Sequence, residues 1–162
     1  MSISIIYKNY SLKKNIPNLV LFVDEKFNIL TLKKHISIKE YTFLFDLVKT
    51  RDHKKEILAF DISSKKKIIL VSIKKNLTNS GAEKLGAKFY DQLKDFNEKQ
   101  FIFNTDTATN KIRNLIGFFL HGLKLKSYLF DKYKTKKNNK NISIFVNGKN
   151  IPSLKDQNKF KS

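Results

Sequence analysis

Five consecutive apolar residues, Leu19-Val20-Leu21-Phe22-Val23, closed by Asp24-Glu25, constrain this chain more than any other segment. A short apolar run between polar residues reads as a strand, and successive side chains of a strand point to opposite faces. With no polar face, such a strand has to be covered on both sides. The rest of the chain supplies the cover. Ser37 with Glu40 three positions on forms a capping box, and Tyr41, Leu44, Phe45 and Val48 follow at helical spacing as one apolar face. Leu85, Phe89, Leu93 and Phe96 predict an amphipathic helix over residues 80–98. Ile112, Leu115, Ile116, Phe119, Leu120 and Leu123 predict a third helix from about Thr109.

Further strands are expected at residues 2–7, 100–104 and 142–146, the last ending in the turn signal Asn147-Gly148. Residues 56–62 and 67–73, parted by Ser63-Ser64-Lys65-Lys66, read as two strands of a hairpin. Residues 28–32 are expected to pair with the 19–23 strand as a second hairpin across the polar Asp24-Glu25-Lys26. Gly86 and Ala87, near the buried side of their helix, would let it approach the sheet closely. Strands alternating with three helices predict an α/β fold: a three-layer sandwich of a mixed sheet with helices on both faces. At 162 residues the chain fits one domain with a sizeable core. Residues 1–149 form that expected domain, and the polar residues 150–162 read as a linker.

Composition excludes several chemistries. The chain has no cysteine, so disulfides, thiolate metal sites and a cysteine nucleophile are ruled out. No apolar run approaches the roughly 20 residues needed to span a bilayer, and the expectation is a soluble cytoplasmic protein. Thirty-three Lys and Arg against 14 Asp and Glu give a formal net charge of +19, which invites a polyanion partner. Only Arg51 and Arg113 are arginine, however. Arginine is favoured where phosphate is gripped bidentately, so lysine-rich solvated surface is the plainer reading, with a nucleic-acid-binding module as the alternative.

Residue by residue, no catalytic, cofactor or metal site is assigned. His35, His53 and His121 fall on separate predicted elements without His or Glu partners at metal-site spacing. Asn104-Thr105-Asp106 reads as an Asx turn or cap before the next helix. Ser80-Gly81-Ala82 reads as a helix start that is capped rather than anion-binding. Neither glycine-rich phosphate cradle nor serine-nucleophile elbow is present. Lys65-Lys66-Lys67 and the lysines of residues 132–140 form two basic runs. Beside the second stand Tyr128, Phe130 and Tyr133, superficially a stacking platform but more simply a seal at a helix end.

Two stretches carry a family resemblance. Residues 117–137 end an apolar helix with Ser127-Tyr128-Leu129-Phe130-Asp131-Lys132-Tyr133 and run into Lys134-Thr135-Lys136-Lys137. Earlier, Thr78-Asn79-Ser80-Gly81-Ala82-Glu83-Lys84-Leu85-Gly86 looks like an alanine- and glycine-rich helix start. Together they resemble the N-terminal domain of the leucyl (cytosol) aminopeptidases, metallopeptidase family M17. Leu129 stands where that family would have arginine, and Asn104-Thr105-Asp106 lacks the Glu and Gly-Arg that continue the family's metal-binding motif. The resemblance implies a macro-domain-like fold and a parent aminopeptidase that is hexameric and uses two zinc or manganese ions. Those ions would be bound by a C-terminal catalytic domain outside this sequence. It also implies two further possibilities: DNA binding, known for some bacterial relatives, and ADP-ribose binding, which macro domains perform through glycine-rich loops not evident here. The chain itself is expected to be inactive.

Overall fold

The structure, a computed structural model, describes residues 2–7, 17–93, 95–108, 114–133 and 141–148. The expected linker 150–162, most of the second lysine run and residues 109–113 lie outside these. Among the described residues, one mixed sheet holds the strands in the order β1-β6-β5-β2-β4-β3. These are β1 (Ser2–Tyr7), β2 (Asn18–Asp24), β3 (Ile57–Ser63), β4 (Lys66–Ile73), β5 (Gln100–Asn104) and β6 (Asn141–Asn147). Every neighbouring pair is parallel except β3 with β4. All strands but β3 therefore end at the same edge of the sheet.

The α/β three-layer expectation holds, and β2 is its centre. Leu19, Leu21 and Val23 face one helical layer while Val20 and Phe22 face the other. Leu44 and Val48 of helix α1 (Ile38–Val48) cover the first face, with Leu32 of a short 3-10 helix (Leu30–Lys34). Helices α2 (Asn79–Leu93) and α3 (Leu115–Tyr133) cover the second. There Phe89 meets Phe101, Phe103 and Phe119 at centroid separations of 5.4–6.1 Å in tilted or edge-to-face contact. Each such buried ring contributes roughly 2–3 kcal/mol from area alone. Helix α2 ends at Leu93, short of the expected residue 98, and Phe96 turns back to lie edge-on to Phe101.

Two expectations are corrected. Residues 28–32 do not form a strand. Both edges of β2 are already taken by β4 and β5. The Asp24 carboxylate accepts from the N–H groups of Lys26 and Asn28, and Phe27 turns the chain with φ 56°. The chain then enters the 3-10 helix. Gly86, for its part, approaches a helix rather than the sheet. A Cβ there would lie 1.9 Å from the Phe119 carbonyl oxygen of α3, and one at Gly122 would lie 1.9 Å from the Glu83 carbonyl oxygen of α2. The two helices thus press backbone to backbone through reciprocal glycines.

Local polar groups fix the remaining geometry. The buried Asn18 amide donates to the carbonyls of Glu98 and Gln100, tying β2 to the start of β5. Beyond Val20 the pairing of β2 with β5 stops, and the Thr107 hydroxyl accepts from Phe22 N–H at 2.8 Å in the strand's place. At the outer edge of β3, Arg51 donates to the Ala59 carbonyl, and its guanidinium lies 5.0 Å from the Phe60 ring centre. A register irregularity follows between Asp61 and Ser63.

The capping box at α1 is formed as expected: Ser37 Oγ accepts from Glu40 N–H, and Glu40 accepts from Ser37 N–H. Glu40 also pairs with Lys66 across to β4. Partial burial alone would raise the Glu40 carboxyl. Hydrogen bonds from Lys66 and Ser37 and the Lys66 charge outweigh it and hold the group below the usual 4.5. A carboxyl depressed on folding adds stability above its unfolded value, and that stability is lost as pH falls through the folded value. Glu40→Gln is therefore expected to flatten the acid limb of stability. Urea midpoints for both proteins from about pH 6 down to pH 3 check it: the native protein should lose its advantage over the variant below pH 4.5.

Candidate functional site

In a parallel sheet the strand carboxyl ends are where ligands most often bind, so this edge comes first. It gathers Asp24, Asn28, His35, Asn104, Asp106, Asn147 and Gly148. Its polar groups are largely spent on one another. Asn104 Nδ2 lies 3.2 Å from His35 Nδ1, while Asn104 Oδ1 accepts from Asp106 N–H. That second bond is the Asx turn expected of Asn104-Thr105-Asp106, and it caps the 3-10 turn Thr105–Thr107. Thr105 Oγ1 donates to the Asn147 carbonyl at 2.7 Å. Gly148, at φ 118°, sits so close that a Cβ would fall 2.3 Å from Thr105 Oγ1. Only glycine fits there. This edge is a tight set of turns.

The three histidines stay apart, as their sequence positions suggest. His35 belongs to the edge just described. His53 Nε2 is 2.8 Å from the Val48 carbonyl at the end of α1, with its ring 5.2 Å from Phe27. His121 Nδ1 is 3.2 Å from Glu83 Oε1 between α3 and α2. Among the described residues no group of three or more His, Asp or Glu side chains could hold a metal ion. Residues Ser80-Gly81-Ala82 lie in the first turn of α2, where Thr78 Oγ1 accepts from Gly81 N–H as a plain cap. In the first lysine run, Lys66 pairs with Glu40 and Lys67 with Asp61. Phe130 packs edge-on to Tyr90 at 6.0 Å, the sealing role, while Tyr128 is exposed.

Sequence reading missed the outer face of α1. Phe45, placed by its spacing on the apolar stripe, is 41% exposed, Phe43 is 46% exposed and Ile38 87%. Tyr41 and Phe45 stack with centroids 6.2 Å apart and planes at 30°. Lys33 Nζ lies 5.1 Å from the Tyr41 ring centre and Lys49 Nζ 4.1 Å from that of Phe45. On the other flank a groove of about 710 Å³ opens between α1 and the β3–β4 hairpin, lined by Lys39, Phe43, Asp46, Ile62, Ser63 and Lys66. A signal was present: α1 has more apolar positions (38, 41, 43, 44, 45, 47, 48) than one buried stripe can use.

No protein-family model matches this chain, and neither does any curated protein. Solved structures do match. A mutant form of tomato leucine aminopeptidase superposes with TM-score 0.68 at 13% identity, over 99% of this chain and 35% of that one. The macrodomain of Thermus aquaticus DarG superposes with TM-score 0.56 at 10% identity, over 91% of this chain and 99% of that one. The likeness is one of fold. The chain is macrodomain-like, and it spans about a third of the aminopeptidase's length. Among the described residues no helix is long and apolar enough to cross a membrane.

Proposed function

We propose that this chain serves as a non-catalytic domain of the kind found at the amino end of leucyl aminopeptidases, acting in assembly or regulation. The observation that carries the reading is the superposition of 99% of this chain on 35% of an aminopeptidase. The aromatic and lysine motif of residues 127–137 points the same way. Among the described residues no three His, Asp or Glu side chains come together as a two-metal centre needs, which supports placing the ions elsewhere. The zinc or manganese pair, the peptide hydrolysis and the hexameric contacts belong, in this reading, to the remainder of a parent protein in the cytoplasm.

The test is hydrolysis of leucyl-p-nitroanilide by the purified chain with added manganese. No release of nitroaniline is expected, and steady turnover that survives further purification would overturn the reading. A second reading, ADP-ribose binding, draws on the macrodomain-like fold. Isothermal calorimetry with ADP-ribose separates the two, since a measurable heat favours the second. The self-paired turns of the strand edge favour the first.

A further inference from the structure

An amphipathic helix on a sheet needs one apolar stripe, and only Leu44 and Val48 of α1 are fully buried. Tyr41, half-buried against the core, and the exposed Phe45 form a column with two lysines. Lys33 stands at the Tyr41 ring, Tyr41 stacks on Phe45, and Lys49 stands at the Phe45 ring. Residues 41, 45 and 49 follow at successive i, i+4 steps, so the column runs along the helix.

We infer that this outer face of α1 is a docking surface for single-stranded nucleic acid, with Tyr41 and Phe45 as the stacking platform and Lys33 and Lys49 as phosphate contacts. Charge complementarity selects the occupant. The chain carries a formal +19, so a second copy is repelled and a polyanion attracted. On this face Lys33 and Lys49 flank the two rings, whereas Asp46 lies with Lys39 on the groove flank and Glu40 is tied to Lys66. The exposed Phe45 ring and the accessible part of Tyr41 favour unpaired bases, whose π faces a duplex hides within its own stack. Lysine point charges track a backbone without reading sequence, which suits a chain with two arginines. A base arriving on either ring displaces an ammonium that has only to swing outward to the adjoining phosphate. This surface is independent of the scaffold reading and stands or falls without it.

Fluorescence anisotropy of the full chain with a labelled oligothymidylate of roughly 20 nucleotides, and with a duplex of equal length, tests the inference. The single strand is expected to bind more tightly than the duplex at about 150 mM salt. Tyr41→Leu and Phe45→Leu keep the apolar contacts and remove the rings. Each should weaken single-strand binding about tenfold with the salt slope unchanged. Lys33→Gln with Lys49→Gln should reduce that slope by about 1.4. Phe45 is exposed, so its variant is expected to keep the native circular dichroism and remain informative if Tyr41→Leu unfolds. Native affinity in Phe45→Leu would overturn the inference, leaving only diffuse lysine attraction. So would preference for the duplex, or binding to anionic phosphatidylserine vesicles without binding to the oligonucleotide.

Discussion

Gly86→Ala is expected to lower stability by about 3 kcal/mol, near the upper end for overpacked cores, and to lower Tm by roughly 6–12 °C. In an exposed helix the same change would stabilise by about 1 kcal/mol, because alanine restricts the unfolded chain. Here the added methyl would lie 1.9 Å from the Phe119 carbonyl oxygen, which is backbone and cannot rotate away. The helices must separate, and Phe89 and Phe119, 5.6 Å apart between them, lose contact as they do. Gly122→Ala meets the Glu83 carbonyl in the same way. Once one alanine has spread the pair, the second meets less resistance. The double variant should therefore cost clearly less than the sum of the singles. Thermal and urea unfolding of all four proteins measure this, and strict additivity would mean that the two contacts are not one interface.

Thr107→Val is the second large effect, expected at about 2–3 kcal/mol with almost no change in shape. The Thr107 hydroxyl accepts from Phe22 N–H at 2.8 Å and donates to the Asn104 carbonyl at 2.7 Å. Both bonds lie where β5 has left β2, so no strand replaces them. Valine would leave a buried N–H without its acceptor in the middle of the central strand. Thr107→Ser keeps the hydroxyl and should cost under about 1 kcal/mol. Hydrogen exchange at the Phe22 amide gives the local readout: faster in the valine variant, near native in the serine variant. Equal protection in all three proteins would remove Thr107 from this role.

These cases mark how far the sequence could be read. The central strand was legible because an apolar run closed by acids has few other uses, and the capping box because Ser37 and Glu40 act within one turn. The 28–32 hairpin failed for a local reason. A non-glycine residue, Phe27, adopts φ 56° while the Asp24 side chain gathers the N–H groups beyond it, and composition signals neither. Gly86 was recognisable as a packing residue, but a small side chain does not say whether sheet or helix will face it. Thr107 carried no signal at all, since its importance comes from where β5 diverges. On α1, spacing named Phe45 as core, and only the folded chain shows two flanks of one helix competing for a single sheet face.

The guanidinium that closes the Ala59 carbonyl has a consequence for the behaviour of the protein at high concentration. An outermost strand such as β3 would otherwise offer its row of amides as a template for seeding fibrils. An incoming strand finds one acceptor already occupied and, a step further along, a broken repeat between Asp61 and Ser63. Growth by copying along that side is discouraged, even for a chain this rich in isoleucine and phenylalanine.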